Sequence, residues 1–273
     1  MSRPGTLTVY RWELRKLRAQ KRTYLGLGAA VAVPVIFSIA VAVNPGGPTD
    51  VPFGRYVKDT GLAFPLVTLL FGSIWFYPLI AALVSGDIVA NEDNNGTLKT
   101  ILTRSVERSQ IFFGKVLAAF SYSILAIFLS GAVATIAGVI VSGFNPIPTL
   151  SGSIVTPEHG LALIAASLAV YMMPVLAITC FALMLSTVFR NSAAAVVGTL
   201  MFSLLLQLVV IIPGLEGLHP YLLSTQFNSW QGLLRTPADW DPIIRAAWVC
   251  AAYAIPSLAI ALTVFLRRDV AGG

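Results

Sequence analysis

Six long apolar segments constrain this chain more than any other feature of its sequence. Each is built mainly from hydrophobic and small residues, and about 20 such residues in a helix cross roughly 30 Å of hydrocarbon. Hydrophobic residues make up 56 % of the chain and charged residues 11 %, against about 25 % charged residues in soluble domains. The sequence therefore predicts an all-α integral membrane protein.

The apolar segments place six predicted transmembrane spans at residues 24–43, 62–85, 111–141, 161–188, 193–212 and 242–266. The first ends in Ala40-Val41-Ala42, which resembles a signal-peptide cleavage site. The apolar part of a signal peptide has only about 7–15 residues, so we expect an uncleaved span. Pro65 and Pro78 predict kinks in the second span. The third span is longer than a bilayer requires, so its first turns are expected to project into water.

Segments outside the spans also carry patterns. In residues 1–23, Leu7, Tyr10, Leu14 and Leu17 recur at helical spacing among many basic residues. This predicts an amphipathic helix lying along the membrane surface, and a solvated basic tail is the alternative. Residues 213–241 mix apolar and polar side chains and predict one or two short external helices between the fifth and sixth spans. No internal repeat is visible, so residues 1–273 are predicted to form a single transmembrane domain.

The distribution of basic residues predicts the orientation of the spans. With six spans, both termini and the loops after the second and fourth spans share one side, which carries all Lys and Arg residues except Arg55, Lys58, Arg235 and Arg245. Because positive residues collect on the cytoplasmic side, we expect a plasma (inner) membrane protein with both termini in the cytoplasm. A five-span path would place the C-terminal arginines outside and is disfavoured. The net charge of +6 is expected to face anionic lipid rather than nucleic acid.

Motifs typical of enzymes and metal sites are absent from the sequence. It contains no P-loop, HExxH or CxxC motif. His159 and His219 fall in loops, and Cys180 and Cys250 fall in apolar segments. We therefore predict no catalytic residues, no metal site and no enzymatic activity in this chain. Ionisable residues are nearly lacking inside the spans, which disfavours a carrier driven by protons or sodium, because such carriers keep intramembrane charges.

A few polar or small residues lie within the spans. Thr179, Ser203 and Gln207 are the main polar side chains at depth. They either hydrogen-bond between helices or contact a substrate. Ala194 and Gly198 have the small-xxx-small spacing that lets two helices approach closely. This spacing is a weak indication of a face for self-association.

The longest polar stretch, residues 85–115, lies between the second and third spans. Its acidic, Asn-rich start before Gly96 is typical of a turn. Leu98, Ile101 and Leu102 then share one face of a short predicted helix. A cytoplasmic helix joined closely to two spans can act as a lever, because a partner that moves it tilts both spans. The alternative is a solvated connector without a partner.

The same stretch resembles a known family. The residues concerned are Glu92-x3-Gly96-Thr97-Leu98, Leu102-x-Arg104-Ser105-x2-Arg108 and Gly114-Lys115. They resemble the signature of type-2 ATP-binding-cassette (ABC) permeases, in which an acidic residue precedes Gly-Thr-Leu, an Arg- or Pro-containing turn follows, and a Gly-Lys lies at the foot of the third helix. Ser105 and Asn95 depart from the residues frequent there. The predicted spans, termini, N-terminal helix and external helices extend the resemblance over nearly the whole chain.

The resemblance implies that the chain is the transmembrane permease subunit of an ATP-driven ABC exporter. Two separate P-loop nucleotide-binding ATPase subunits would bind ATP and Mg, and a second permease copy would complete a homodimer or heterodimer. The substrate would be lipophilic or amphipathic: a drug, antibiotic, peptide or lipid. In this family the first and fifth helices form much of the dimer interface, with the substrate path between subunits. The residues assigned to these surfaces are Ala194, Gly198, Gln207, Thr179 and Ser203.

The resemblance also implies which residues meet the ATPase. The loop helix at about residues 91–104 would dock onto it, and the residues expected to couple the two proteins are Glu92, Gly96, Thr97, Leu98, Ile101, Leu102, Arg104 and, in a smaller contact, Arg190. Glu92 would pair with a basic or amide group of the partner, Gly96 would allow the tight turn, and Leu98 would fill an apolar pocket. A membrane scaffold that binds a cytoplasmic partner without transport is the second hypothesis, and an ion-coupled carrier is the third.

Overall fold

The computed structural model of the protein describes residues 5–44, 50–96 and 106–267. Within these ranges the chain forms ten α-helices: α1 Thr6–Ala19, α2 Lys21–Val43, α3 Ala63–Gly72, α4 Phe76–Ser85, α5 Ala90–Asn94, α6 Arg108–Ser142, α7 Pro157–Phe189, α8 Ser192–Ile211, α9 Leu223–Gln226 and α10 Asp241–Leu266. Short 3-10 helices lie at Gly54–Tyr56, Glu216–Tyr221 and Ser229–Leu234. The two-residue strand β1, Ile147–Pro148, pairs antiparallel with β2, Ile154–Val155.

Five of these helices, α2, α6, α7, α8 and α10, are long and apolar enough to cross a membrane. They support an all-α, multi-pass membrane protein, and each lies within a few residues of a predicted span. The short helices between α8 and α10 agree with those expected in residues 213–241. The N-terminal helix α1 is also present, but its apolar face differs from the expected one. Leu17 is buried, whereas Leu7 is exposed, because α1 turns Val9 towards the protein.

The second predicted span, residues 62–85, is broken into two helices. The ten-residue helices α3 and α4 meet at an angle of 65°, and the described part of the chain has up to six spans if this pair counts as one. Pro78 cannot donate a backbone hydrogen bond to Ile74 four residues earlier, which favours a kink or a break in this region. The prediction of a kink at Pro65 is wrong. Pro65 lies in the first turn of α3, where a backbone donor is not needed.

Side chains bond the backbone where α3 and α4 separate. Ser73 Oγ donates to the carbonyl of Leu70 at 2.7 Å. Gln207 of α8 donates from Nε2 to the carbonyl of Ser73 at 3.4 Å. Backbone polar groups have no water to bond inside a bilayer, so partners from neighbouring helices make a break of this kind tolerable.

The connecting segments gather at two ends of the helix bundle. At one end, Arg108 at the start of α6 donates to the carbonyl of Leu266 at the end of α10 (2.9 Å), and α1 packs along α6. At the opposite end, the N–H of Gly61 before α3 donates to the carbonyl of Gly143 after α6 (2.9 Å). The N-terminal helix, the start of α6 and the end of α10, which the distribution of basic residues predicts on one side of the membrane, therefore lie at the same end of the bundle.

The helix α7 lies at the centre of the bundle. It contacts α3, α4, α6, α8 and α10 and the 3-10 helix Ser229–Leu234. In its most apolar stretch 50 % of the residues are buried, against 17 % for α8. The rings of Tyr77, Tyr171 and Phe227 form a row through this core, with centroids 5.2 and 5.1 Å apart. The helix α8 thus presents most of its apolar surface to the outside of the chain.

Candidate functional site

The polar residues that follow α4 form the candidate site. We call residues 87–96 the acidic segment, because they include Asp87, Glu92 and Asp93. The segment contains α5 and ends at Gly96, whose φ of 67° lies in the left-handed region. The Gly96 N–H bonds the carbonyl of Asp93 at 3.0 Å. Gly96 thus makes the tight turn predicted for it, in a conformation that other residues rarely adopt.

Most of the predicted coupling helix lies outside the described residues. This applies to Thr97, Leu98, Ile101, Leu102 and Arg104. The structure therefore places three of the eight residues predicted to couple the chain to an ATPase: Glu92, Gly96 and Arg190.

Four charged side chains form what we call the ionic cluster: Glu13 and Lys16 of α1, Glu92 of α5 and Lys115 of α6. Lys115 Nζ lies 2.7 Å from Glu92 Oε2 and 3.3 Å from Glu13 Oε1. Lys16 Nζ lies 2.7 Å from Glu92 Oε1 and 2.9 Å from Glu13 Oε1. The fully buried Lys115 also donates to the carbonyl of Ile88 at 3.1 Å. The two positive and two negative charges cancel, as buried charges require.

The ionic cluster keeps Glu92 ionised. Burial raises the pKa of this carboxyl group, but the ammonium groups of Lys115 and Lys16 outweigh burial and hold the pKa of Glu92 below its ordinary value. Burial lowers the pKa of Lys16, and the carboxylates of Glu92 and Glu13 outweigh that effect and raise it. Both carboxylate oxygens of Glu92 pair with lysines of its own chain, and its pairing with a group of a partner protein stays a prediction.

The other two acidic residues of the segment pair with different elements. Asp87 pairs with Arg22 at the start of α2 and accepts a hydrogen bond from Ser192 at the start of α8. Burial raises the pKa of Asp87, while Ser192 and Arg22 act in the opposite direction and offset part of the rise. Asp93 Oδ2 lies 3.7 Å from Arg190 Nε in the turn between α7 and α8. Charge pairs therefore tie the acidic segment to four separate parts of the bundle.

Close packing of α1 on α6 brings the ionic cluster together. Glu13 lies on the buried stripe of α1. A Cβ atom at Gly114 of α6 would lie 2.6 Å from Val9 Cγ1, so a larger residue at 114 would push α1 away. Glycine at this position lets the two helices approach, and the adjacent Lys115 then reaches Glu13. This gives a structural role to the Gly-Lys pair at the foot of the third predicted span.

Ser186 of α7 caps the start of α5. Its Oγ accepts hydrogen bonds from the N–H groups of Val89 (3.3 Å) and Ala90 (3.0 Å), and the residue is fully buried. The first N–H groups of a helix have no partner within the helix. Ser186 therefore satisfies two buried donors and bonds the acidic segment to the central helix.

Ser186→Ala is expected to loosen the acidic segment. Two buried N–H groups would lose their acceptor, and leaving a buried donor without a bond costs about 1–3 kcal/mol. Hydrogen–deuterium exchange of peptides covering residues 87–96 should become faster, with little change in α10. Ser38→Ala is the matched control, because Ser38 is also buried but, among the residues that the structure describes, bonds the Pro34 carbonyl of its own helix and no other group. Equal exchange of the segment in both variants would contradict the capping role.

No sequence pattern described above assigns Glu13, Lys16 or Ser186 to the site, and Lys115 appears above only in the Gly-Lys pair of the resemblance, without a partner. The sequence does mark Glu13. It is the one acidic residue in a strongly basic helix, and it lies four residues from both Val9 and Leu17, so the three share one face. The sequence also marks Lys115, because a lysine within an apolar segment needs a carboxylate partner when it is buried. Ser186 carries no local signal, because its role depends on a segment that is distant along the chain.

The polar residues predicted for a dimer interface or substrate path make internal contacts. Thr179 is fully buried and shares a hydrogen bond with Ser123 of α6 (2.9 Å). Ser203 lies on the buried stripe of α8, and Gln207 bonds the break between α3 and α4. Thr179 and Gln207 therefore hydrogen-bond between helices and Ser203 is buried. The use of these residues in a dimer interface or substrate path stays a prediction.

The small residues of α8 have two environments. Ala194 is exposed, whereas a Cβ atom at Gly198 would lie 3.0 Å from Leu185 Cδ1 of α7. Gly198 thus allows α8 to approach α7, and only Ala194 of the pair lies fully on the outside. Their use in a contact between two copies stays a prediction.

The arrangement of the site suits it to transmit movement between helices. The acidic segment, α1 and the start of α6 are joined by buried ion pairs, and Ser186 and Arg22 add bonds to α7 and α2. A displacement of this segment is expected to move the attached helices with it, because breaking buried pairs is costly.

Two comparisons with known proteins bear on this chain. The family described as "Protein of unknown function (DUF2705)" matches residues 29–271, a range that includes Glu92 and Lys115. The uncharacterized protein YhcI of Bacillus subtilis (strain 168) is 26 % identical over 202 residues. The match spans 71 % of this chain and 64 % of YhcI, so the chain covers less than two thirds of the length of that relative.

Proposed function

The chain belongs to the DUF2705 family, and from its geometry we propose that it is the transmembrane subunit of an ATP-driven ABC exporter. It has six spans, with α3 and α4 together as the second, and lies in the plasma membrane with both termini in the cytoplasm. Two separate P-loop ATPase subunits supply ATP and Mg, and a second permease copy completes the transporter. The substrate is a lipophilic or amphipathic molecule that leaves the cytoplasm.

One observation carries this proposal: the acidic segment is anchored on several sides. Asp87, Glu92 and Asp93 pair with bases from different elements, and Ser186 caps α5 from within the bundle. A solvated connector needs none of these contacts. Buried ion pairs gain little net stability, because desolvation offsets much of their attraction. Their presence therefore favours a role in which the segment and its neighbours move as one body.

These contacts suggest how force from an ATPase enters the membrane. The residues after Gly96 connect the acidic segment to α6, so a partner that docks there pushes on α5, α1 and the start of α6 together. The helix α4 leads into the same segment, and its 65° bend against α3 lies further along the span. A tilt of α4 and α6 changes which side of the membrane reaches the space between two subunits.

The outer face of α8 supports pairing with a second copy. This helix is the least buried of the five long apolar helices in the described part of the chain, and Met201, Leu205 and Leu208 are exposed along it. Helices in lipid associate through close packing and small residues. We assign the contact between subunits to this face, with Ala194 at its start, and to the exposed face of α2.

Leu98→Asp tests the docking of the ATPase. We expect the tagged wild-type chain, purified from its own membrane, to retain a P-loop ATPase that mass spectrometry identifies. The aspartate variant should lose it, because a carboxylate is strongly disfavoured in an apolar pocket. Leu218→Asp is the matched control, since Leu218 is exposed in the segment between α8 and α10. Absence of an ATPase from the wild type, or equal retention by both variants, would contradict the proposal.

ATP hydrolysis separates a transporter from a scaffold. In vesicles containing the chain and its ATPase, we expect lipophilic or amphipathic candidate substrates to change the hydrolysis rate. Glu92→Ala should weaken this response, because it removes a carboxylate that joins α5 to α1 and α6. A scaffold would bind its partner without ATP, and hydrolysis would be unaffected by candidate substrates.

A further inference from the structure

A cavity of about 280 Å³ lies between α1, the first turns of α2, and α6. Its apolar walls include Leu14 and Leu17 of α1, Leu27 of α2 and Leu125 of α6. Leu125 and the neighbouring wall residue Tyr24 are 53 % and 60 % exposed, so the cavity opens on the outer surface of the bundle. Ligand pockets commonly start at about 300 Å³, so this cavity suits part of a longer, chain-like molecule.

Two hydroxyl groups in the cavity wall have no hydrogen-bond partner among the described residues: those of Tyr122 and Thr23. Both residues are more than nine-tenths buried. Most buried polar side chains in folded proteins have a partner, and leaving one unbonded is unfavourable. Tyr10 and Ser121, which also line the cavity, bond each other at 2.8 Å. Both hydroxyl oxygens are enclosed by protein rather than open to the cavity, and that of Tyr122 packs against Gly26 of α2. They therefore add no polar contact for a ligand, and the wall is mainly apolar.

Positive charge lies beside these hydroxyls. Arg18 lines the cavity, and within residues 5–44, 50–96 and 106–267 no carboxylate forms an ion pair with it. The same holds for Arg11, Arg15 and Lys21 on α1 and its junction with α2. Cations at a membrane surface attract anionic lipid headgroups. A phosphate on a molecule with an acyl chain satisfies both the charge and the apolar walls, whereas free phosphate satisfies only the charge.

We propose that this cavity binds one anionic phospholipid. Its phosphate lies at Arg18, and the start of one acyl chain lies between Leu27 and Leu125. The lipid holds α1 against α2 and α6, the same packing that assembles the ionic cluster. This site is separate from the acidic segment and does not depend on the proposed transport function.

The full chain, purified in mild detergent and stripped of lipid, can be titrated with dioleoylphosphatidylglycerol while native mass spectrometry counts the bound lipid. We expect a single tightly bound molecule. Dioleoylphosphatidylcholine, with the same acyl chains and no net charge, should bind more weakly, and inorganic phosphate should not displace the anionic lipid. Displacement by phosphate would assign the site to a free anion, and equal affinity for the two lipids would overturn recognition by charge.

Substitutions separate the cavity from general attraction to the basic helix. Arg18→Gln should weaken binding of the anionic lipid about fivefold, the effect of one cation near a membrane surface. Arg11→Gln is the matched control on the same helix, outside the cavity. Leu125→Trp should block the cavity, whereas Leu117→Trp changes another exposed leucine of α6 outside it. Equal effects of the two arginine variants, or of the two tryptophan variants, would overturn the proposal.

Tyr122→Phe removes one hydroxyl while keeping the ring. Without lipid, we expect this variant to melt at the wild-type temperature or higher, because an unbonded buried hydroxyl has been removed. This measurement also shows that the variant folds. On addition of dioleoylphosphatidylglycerol, its melting temperature should rise as much as that of the wild type, because the hydroxyl is enclosed by protein. A smaller rise would show that Tyr122 bonds the lipid and would overturn this placement of the ligand.

Discussion

Lys115→Met is expected to destabilise the protein by about 3–5 kcal/mol, the range found when one partner of a buried ion pair is removed. Lys115 is fully buried between Glu13 and Glu92. Methionine fills a similar space but carries no charge, so the ionic cluster would retain two buried carboxylates and the single ammonium group of Lys16. The free energy of unfolding can be measured by titrating a denaturing detergent into mixed micelles.

A double variant provides the control for this prediction. Lys115→Met with Glu92→Gln removes one charge of each sign and leaves Glu13 and Lys16 as a neutral pair at 2.9 Å. We expect it to recover much of the stability lost in Lys115→Met alone, because the loss comes from an uncompensated charge rather than from missing volume. If the two single losses simply add, the four residues do not act as one cluster.

The same cluster has an expected pH dependence. Although burial opposes it, the pull of Lys115 and Lys16 places the pKa of Glu92 below its ordinary value. The ionised group therefore contributes stability above the pKa of the unfolded chain, about 4.3. This contribution is lost as pH falls through the lower pKa of the folded state. In Glu92→Gln that part of the acid-dependent loss should be missing.

Gly138→Ala is expected to destabilise the protein by about 2 kcal/mol net, even though alanine favours a helix over glycine by about 1 kcal/mol. A Cβ atom at Gly138 of α6 would lie 2.4 Å from the carbonyl oxygen of Gly61 and 2.7 Å from the ring of Phe64. Neither can retreat easily, because Phe64 is fully buried and the Gly61 N–H bonds Gly143 O at 2.9 Å. Overpacking costs about 1–3 kcal/mol, and contact with backbone places this case at the upper end.

Gly28→Ala is the matched control for the glycine prediction. Gly28 lies within the apolar helix α2, and a Cβ atom there would meet nothing within 4 Å. We expect this variant to gain up to about 1 kcal/mol from helix propensity alone. Both variants can be compared by the same unfolding titration. If Gly138→Ala proves as stable as Gly28→Ala, the close approach of α6 to Gly61 is absent from the folded protein.

The apolar segments predict the long helices well, because hydrophobicity over about 20 residues is itself the property that places a helix in a bilayer. The second span is the exception. Residues 62–85 are as apolar as the other segments, and apolarity does not show whether a helix runs straight or bends. Pro78 indicates that a regular helix is difficult there, but the 65° angle also depends on Ser73 and on Gln207, a residue of another helix.

Within the site, the sequence identifies the positions with a local pattern. Gly96 lies in an Asn-rich turn, and its positive φ follows from that context. Glu92 is also marked by its neighbours, but its partner Lys16 is 76 residues away. Such a pairing leaves no periodic or spaced pattern in the chain. The sequence therefore does not show that folding brings Glu92 to the lysines of α1 and α6.

The sequence by itself determined that this chain is a multi-pass helical membrane protein, where its long helices lie, and that one charged stretch interrupts them. These properties follow from hydrophobicity and charge, which act along a continuous segment. Only the tertiary structure decided that the acidic segment is held by Glu13, Lys16, Lys115 and Ser186, and that Arg18, Thr23 and Tyr122 share a cavity. Hydrogen bonds and ion pairs act over a few ångströms, so they depend on how separate helices pack.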